Sequence, residues 1–162
     1  MTKTRVEADS MGEFNVPAEA LYGATTARAV ENFPISGRPF PPEFIEMFGE
    51  LKLACAKANE KLGKLDKNLS KSIEQAAKRV AAGECCEHFP IDVFQTGSGT
   101  STNMNTNEVI ANLANLAAGS GLGEKSPVHP NDHVNMGQSS NDTMPTVIHL
   151  SAAKQIKEDL LP

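Results

Sequence analysis

The chain has 162 residues, 40% hydrophobic and 22% charged, which is ordinary globular usage and excludes a disordered or collagen-like chain. Fifteen Lys and Arg against twenty Asp and Glu give a net charge of -5, without the basic patch that phosphate backbones demand, so no nucleic-acid partner is expected. No apolar run nears the roughly 18 residues of a membrane-spanning helix, and the start MTKTRVEADSMGEF has neither a signal-peptide core nor an acid-poor transit composition. No membrane association and a cytoplasmic location are the expectations. Three cysteines, two of them adjacent (Cys85 and Cys86), follow no metal or disulfide spacing and read as reduced thiols without a catalytic part.

Glu13 to Val16 reads as a short strand, Ala24 to Asn32 as a short helix, and four prolines between Pro34 and Pro42 as an extended connector. From Glu43 onward, Phe44, Met47, Phe48, Leu51, Cys55, Ala58 and Leu62 recur at spacings of three and four, the stripe of one buried helix ending near Gly63. A turn through Asp66 leads to a second helix with Leu69, Ile73, Ala76, Ala77 and Val80, ending at Gly83. So short a link predicts an antiparallel pair. Between Thr96 and Thr106 six of eleven residues are Ser or Thr. They open a helix whose apolar face runs through Met104, Val109, Ile110, Leu113, Ala114, Leu116 and Ala117 and closes at Gly119. After the link GSGLG, a polar block from His129 to Asp142 feeds another helix, capped by Ser139 or Ser140, with the stripe Met144, Val147, Ile148, Ala152 and Ile156. That stripe runs to Leu160, Leu161 and Pro162 with no later element to cover it, which reads as a truncation and predicts self-association. There is no internal repeat, and with few strands the fold class is mainly α.

Each polar block opens a helix, where free backbone N–H groups, the positive dipole end and short neutral donors coincide. That combination suits a carboxylate or a phosphate. Gly97 and Gly99 permit a tight turn, Ser98, Thr100 and Thr102 bring hydroxyls and Asn103 an amide. One helix cap employs a single such group, so the surplus favours ligand binding. Gly99 is followed by Thr100 and Ser101 instead of the P-loop's Lys-Ser/Thr, and Thr102 stands where a dinucleotide fingerprint needs its third glycine. A small dicarboxylate therefore fits better than a nucleotide. His129 and His133 have helical metal-pair spacing, but Pro130 and Asn131 between them predict a turn and no Glu occupies the metalloprotease position, so no metal is expected. Asp132 and Asp142 read as caps or orienting groups in preference to an acid/base pair.

The segments GATTARAVENFPISG (Gly23 to Gly37), QTGSGTSTNMNTNEVIAN (Gln95 to Asn112) and HPNDHVNMGQSSNDTMPT (His129 to Thr146) closely resemble class II fumarase, the iron-free fumarate hydratase, and the likeness runs along essentially the whole chain. Aspartate ammonia-lyase is similar at NMNTNE and PNDHVN, but this chain reads QTGSGT where aspartases look more like QGGAGT, His129 where they tend to have Asn, and SSND where they have STND. Thr25, Ala27 and Met144 depart from common fumarase usage outside the ligand-binding positions.

The resemblance implies an N-terminal part of a longer enzyme with the L-aspartase-like fold: an N-terminal lyase domain over 1–138 and the first helix of a central helical-bundle domain over 139–162. It implies reversible anti elimination of water from (S)-malate to fumarate, with no metal or organic cofactor. Ser98, Gly99, Thr100 and Asn103 then form one substrate-binding wall and Ser139, Ser140 and Asn141 another, while His129, Pro130, Asn131 and Asp132 form a second anion site near the entrance. The family's mobile serine loop, GSSxMPxKxNP, and its histidine region have no counterpart here, so no catalytic residue is expected within the chain and the chain alone is expected to be inactive. The family's homotetramers draw each active site from three subunits, so a homo-oligomer is the implied state. An aspartate ammonia-lyase-like enzyme and a non-catalytic dicarboxylate-binding fragment are the alternatives.

Overall fold

The computed structural model describes residues 3–161; the expected domain limits at Met1 and Pro162 lie outside them. The molecule is mainly α, as predicted, with one two-stranded sheet at its start. Strands β1 (Thr4–Asp9) and β2 (Gly12–Pro17) pair antiparallel from Thr4↔Pro17 to Asp9↔Gly12. The expected strand at Glu13 to Val16 lies within β2. Its partner gave no signal because its alternation is inverted: Val6 is exposed while Glu7 is buried beside Arg5, with Nη2 and Oε1 2.6 Å apart. Arg5 also donates to the carbonyls of Pro17, Ala18 and Tyr22, which seats the hairpin on the chain that follows.

Helix α1 (Ala24–Asn32) has the predicted limits. The proline-marked connector after it is held by Asp92, whose carboxylate accepts from the N–H of Ser36, Gly37 and Phe94 and from the Ser36 hydroxyl. Burial alone would push this carboxyl up, but the N–H groups of Phe94 and Ser36, the Ser36 hydroxyl and the N–H of Gly37 outweigh it and hold its pKa at about 2. A carboxyl depressed in the folded state stabilises above its ordinary value of 3.8 and loses that contribution as pH falls through about 2. The amide resonances of Ser36, Gly37 and Phe94 are therefore expected to titrate near pH 2 in an NMR acid titration; a common midpoint near 3.8 would contradict the anchoring.

Helices α2 (Pro42–Lys61) and α3 (Lys67–Ala81) form the predicted antiparallel hairpin. Asp66 caps α3, its side chain accepting from the N–H of Asn68 at 2.8 Å and of Leu69 at 3.2 Å. Ser70 Oγ donates to Ala56 O, and near the hairpin's far end Gly49 meets Ala81. Phe44 stacks on Phe40 and meets Phe48 edge-on. Phe48, Ile73, Ala77 and Val80 close the core against Val109, Ile110 and Leu113 of helix α4 (Thr100–Ala117).

The sequence predicts one apolar face for α4, whereas the helix is buried on nearly every side. Three of its asparagines enter the interior by pairing with neighbouring backbone, which offsets most of the cost of burying an amide, although the side-chain oxygens of Asn105 and Asn107 stay without a partner among the described residues. Asn105 donates to His88 O, Asn112 donates to Leu21 O and accepts from Gly123 N, and Asn115 both donates to Val128 O and accepts from Val128 N. Leu116 and Ala117, expected on the buried face, are exposed.

Residues 130–134 form a five-residue π-helical turn, and α5 (Ser140–Gln155) runs on into a second such turn over Ile156–Leu160. The stripe predicted for α5 splits. Met144 and Val147 are buried in the core, while Ile148 and Ile156 are about half exposed and Ala152 is exposed, so Val147 leaves the predicted uncovered set. Lys154 pairs with Glu46 at 2.9 Å and ties α5 to α2. No helix of the described residues is long and apolar enough to cross a membrane.

Candidate functional site

The turns that start α4 and α5 meet. Gly99, at φ 67°, takes the left-handed conformation that turns the chain into α4. Gln95 braces the turn from behind, accepting from Thr102 N at 2.8 Å and donating to Thr102 Oγ1 at 2.6 Å. Ser139 caps α5, its hydroxyl accepting from Asn141 N at 3.2 Å. Between the turns runs a row of hydroxyls: Ser98 Oγ lies 2.7 Å from Thr100 Oγ1, which lies 2.8 Å from Ser140 Oγ, a contact that spans forty residues of sequence. Ser98 is exposed and Thr100 and Ser140 are half-buried, so solvent and solutes reach the row. A groove of about 520 Å³ opens beside it, bordered by Ser98, Gly99 and Asn141 and, on its apolar side, by Phe40, Phe94 and Met144.

Asn103 differs from the other predicted wall residues. It is buried, its Oδ1 accepts from Lys52 Nζ at 2.7 Å and Thr143 Oγ1 at 3.2 Å, and its Nδ2 donates to Asn135 Oδ1 at 3.1 Å. Its amide joins the two turns from below instead of lining the groove. Lys52, which the sequence reading passed over, is the hub of this layer. Fully buried, it donates to the side-chain oxygens of Asn103, Gln138 (2.8 Å) and Asn135 (3.3 Å). Burial pushes its pKa down from 10.5 to about 7, and the neighbouring Cys55 opposes this only in part. A signal was present: Phe44, Phe48, Lys52 and Ala56 lie four apart on the buried stripe of α2, and a lysine on such a stripe requires partners.

The predicted second anion segment lies elsewhere. His129 caps the π-helical turn, its Nδ1 accepting from the N–H of Asn131 at 3.3 Å and Asp132 at 3.2 Å. Its own N–H donates to His133 Nδ1 at 2.9 Å, so the two histidines meet through backbone within the turn expected there, which is π-helical. Pro130 is buried and Asn131 and Asp132 are exposed. His129, Pro130 and Asn131 border a cleft of about 510 Å³ that Thr25, Arg28 and Lys125 also line. Arg28 is already paired with Asp9 through two bonds and lies over the Phe14 ring. The three cysteines are free thiols, and among the described residues no three His, Cys, Asp or Glu side chains gather as metal ligands would.

The chain belongs to the lyase family, whose model, described simply as lyase, matches residues 12–162. Its relatives include the class II fumarate hydratase of Xylella fastidiosa, 56% identical over 158 residues, and a class II fumarate hydratase of Pseudomonas aeruginosa, 54% identical over 159. Both alignments cover 98% of this chain but 32% and 34% of those proteins, so the chain spans about a third of the length of the curated relatives it matches. Among solved structures, the class II fumarase from Schistosoma mansoni superposes with a TM-score of 0.94 at 44% identity, over 99% of this chain and 34% of that one. A fumarate lyase:delta crystallin from Brucella melitensis superposes at 0.92 with 42% identity, over 96% and 36%.

Proposed function

We propose that this chain supplies the N-terminal substrate-binding part of a class II fumarate hydratase, which interconverts (S)-malate and fumarate in the tricarboxylic acid cycle. The observation that carries this reading is the hydroxyl row of Ser98, Thr100 and Ser140 in a chain 54–56% identical to such enzymes. Removing a proton from the carbon beside a carboxylate piles charge onto that carboxylate, and donors fixed in advance around it lower the barrier. In this reading Ser98, Gly99 and Thr100 form one wall and Ser139, Ser140 and Asn141 the other, with Asn103 supporting both. The N–H groups of Thr100 and Ser101, which bond to nothing among the described residues, add donors at the start of α4. His129, Pro130, Asn131 and Asp132 form a second anion site at the neighbouring cleft. The proton acceptor and the catalytic histidine come from the segment that completes the relatives' length, other copies in a cytoplasmic homotetramer complete each site, and residues 139–162 open its central helical domain.

The test is fumarate hydration followed by ultraviolet absorbance, with the chain alone and then mixed with the remaining segment of a relative. Activity only on mixing is the expected result; activity of the chain alone would place the proton acceptor within it and overturn the assignment. In the mixed enzyme Ser140→Ala is expected to lower kcat/KM by about 10–100-fold, the worth of a hydrogen bond to a charged group, while Ser72→Ala, whose hydroxyl bonds only to Asn68 O within α3, changes nothing. Equal rates for Ser140→Ala and the parent would remove the row from the site.

A further inference from the structure

Lys52 poses a problem that packing does not solve. A buried ammonium is normally matched by a carboxylate, because an unpaired interior charge is costly. Among the described residues no carboxylate lies within ion-pair distance of Lys52. Its three partners are neutral amide oxygens, which use its three donors and leave its charge uncompensated. The titratable group beside it on α2 is Cys55, whose thiol burial pushes up and thus keeps protonated; from α5, Asp142 acts on Cys55, and α4 and the turn before α5 present amides. The partners are not scattered. Asn103 stands one helical turn after Thr100, and Asn135 and Gln138 belong to the turn that delivers Ser140. One nitrogen thus bridges, from beneath, the two turns whose hydroxyls meet above.

We infer that Lys52 is a positioning residue of the site: it holds the turns before α4 and α5 at the spacing that joins Ser98, Thr100 and Ser140 into one row, and it is the counter-charge for an anion laid across that row. The second half rests on the dicarboxylate reading of the row; the first half does not. Because Lys52 loses its proton near neutrality, the two halves have a shared signature. Deprotonation leaves two donors for three acceptors and slackens the layer, and an anion above it favours the protonated form. Binding therefore takes up a proton just above pH 7, and affinity is full below that pH and falls as pH rises through it.

The experiment is an NMR titration of the isotope-labelled chain from pH 5 to 9.5, with and without fumarate. The side-chain amides of Asn103, Asn135 and Gln138 and the backbone amides of Ser98, Thr100 and Ser140 are expected to titrate together, with one midpoint near neutrality. Fumarate is expected to raise that midpoint, with affinity about tenfold weaker at the top of the range than at the bottom, a Coulomb effect expected at this range. Lys52→Met should abolish the shared step and the pH dependence of fumarate affinity; if that variant does not fold, the parent titration decides alone. Backbone amides that ignore the side-chain step would overturn the positioning role, and fumarate binding without a shift of midpoint would overturn the counter-charge. A shared step that fumarate leaves untouched, with no binding to the row, would sustain the positioning role while sinking the dicarboxylate reading.

Discussion

Glu108→Ala is expected to cost about 3–5 kcal/mol, because it leaves four donors at the start of α1 without their acceptor at once. The Glu108 carboxylate is buried in the middle of α4, 82 to 85 residues in sequence from the four donors it satisfies. Oε2 accepts from Gly23 N, Thr26 N and Thr26 Oγ1, and Oε1 from Thr25 N, at 2.7–3.1 Å. Those N–H groups are the otherwise orphaned donors at the start of α1, which lacks a side-chain cap of its own. Tertiary structure supplies the cap, with a negative charge where the helix dipole favours one. Glu108→Gln sorts charge from shape. If its carbonyl takes the Oε2 place, three bonds survive and its NH2 confronts Thr25 N–H, so about half the cost of the alanine variant is expected. Urea unfolding monitored by circular dichroism measures both. Equal losses for Ala and Gln would show that side-chain shape contributes nothing without the charge and its second acceptor oxygen, and no loss for Ala would show that the α1 start does not need Glu108. Thr25 also borders the cleft beside His129, so a frayed α1 start reaches the predicted second anion site.

What could be read in the sequence was what local chemistry encodes. The limits of α1, the hairpin of α2 and α3 with its Asp66 cap, and the placing of both polar blocks at helix starts all follow from periodicity, capping residues and short links. The misses share a different physics. Strand β1 buries Glu7 and exposes Val6 because an arginine two residues away compensates the acid, and alternation cannot register such a pair. Helix α4 sinks Asn105, Asn112 and Asn115 because backbone groups up to 91 residues distant receive them. The α5 stripe splits because α2 and α4 cover only the side that holds Val147. At the site, the hydroxyls were visible as composition, but the contact of Thr100 with Ser140 and the lysine beneath it exist only once the two turns are brought together.

Gly49→Ala is expected to destabilise by about 2 kcal/mol, against the sign that helix propensity predicts. In an exposed helix interior, alanine is worth about 1 kcal/mol more than glycine. Here a Cβ would stand 2.4 Å from Ala81 N, 2.8 Å from Ala81 Cα and 2.9 Å from Ala77 O, so α2 and α3 touch backbone to backbone at this crossing. Overpacking of this kind costs roughly 1–3 kcal/mol even when side chains can yield, and main-chain atoms of a helix yield less. The clash therefore outweighs the propensity gain. Because the obstructing atoms are main chain, Ala81→Gly cannot rescue the variant, which separates this account from an ordinary side-chain clash. A raised unfolding midpoint for Gly49→Ala, or rescue by Ala81→Gly, would refute the close approach. The consequence extends past stability. Lys52 lies three residues further along α2, so a helix pushed away from α3 carries the ammonium with it and disturbs the spacing of the turns that bear Thr100 and Ser140. Gly49→Ala should thus perturb the amides of Asn103 and Gln138, although Gly49 itself bonds to neither.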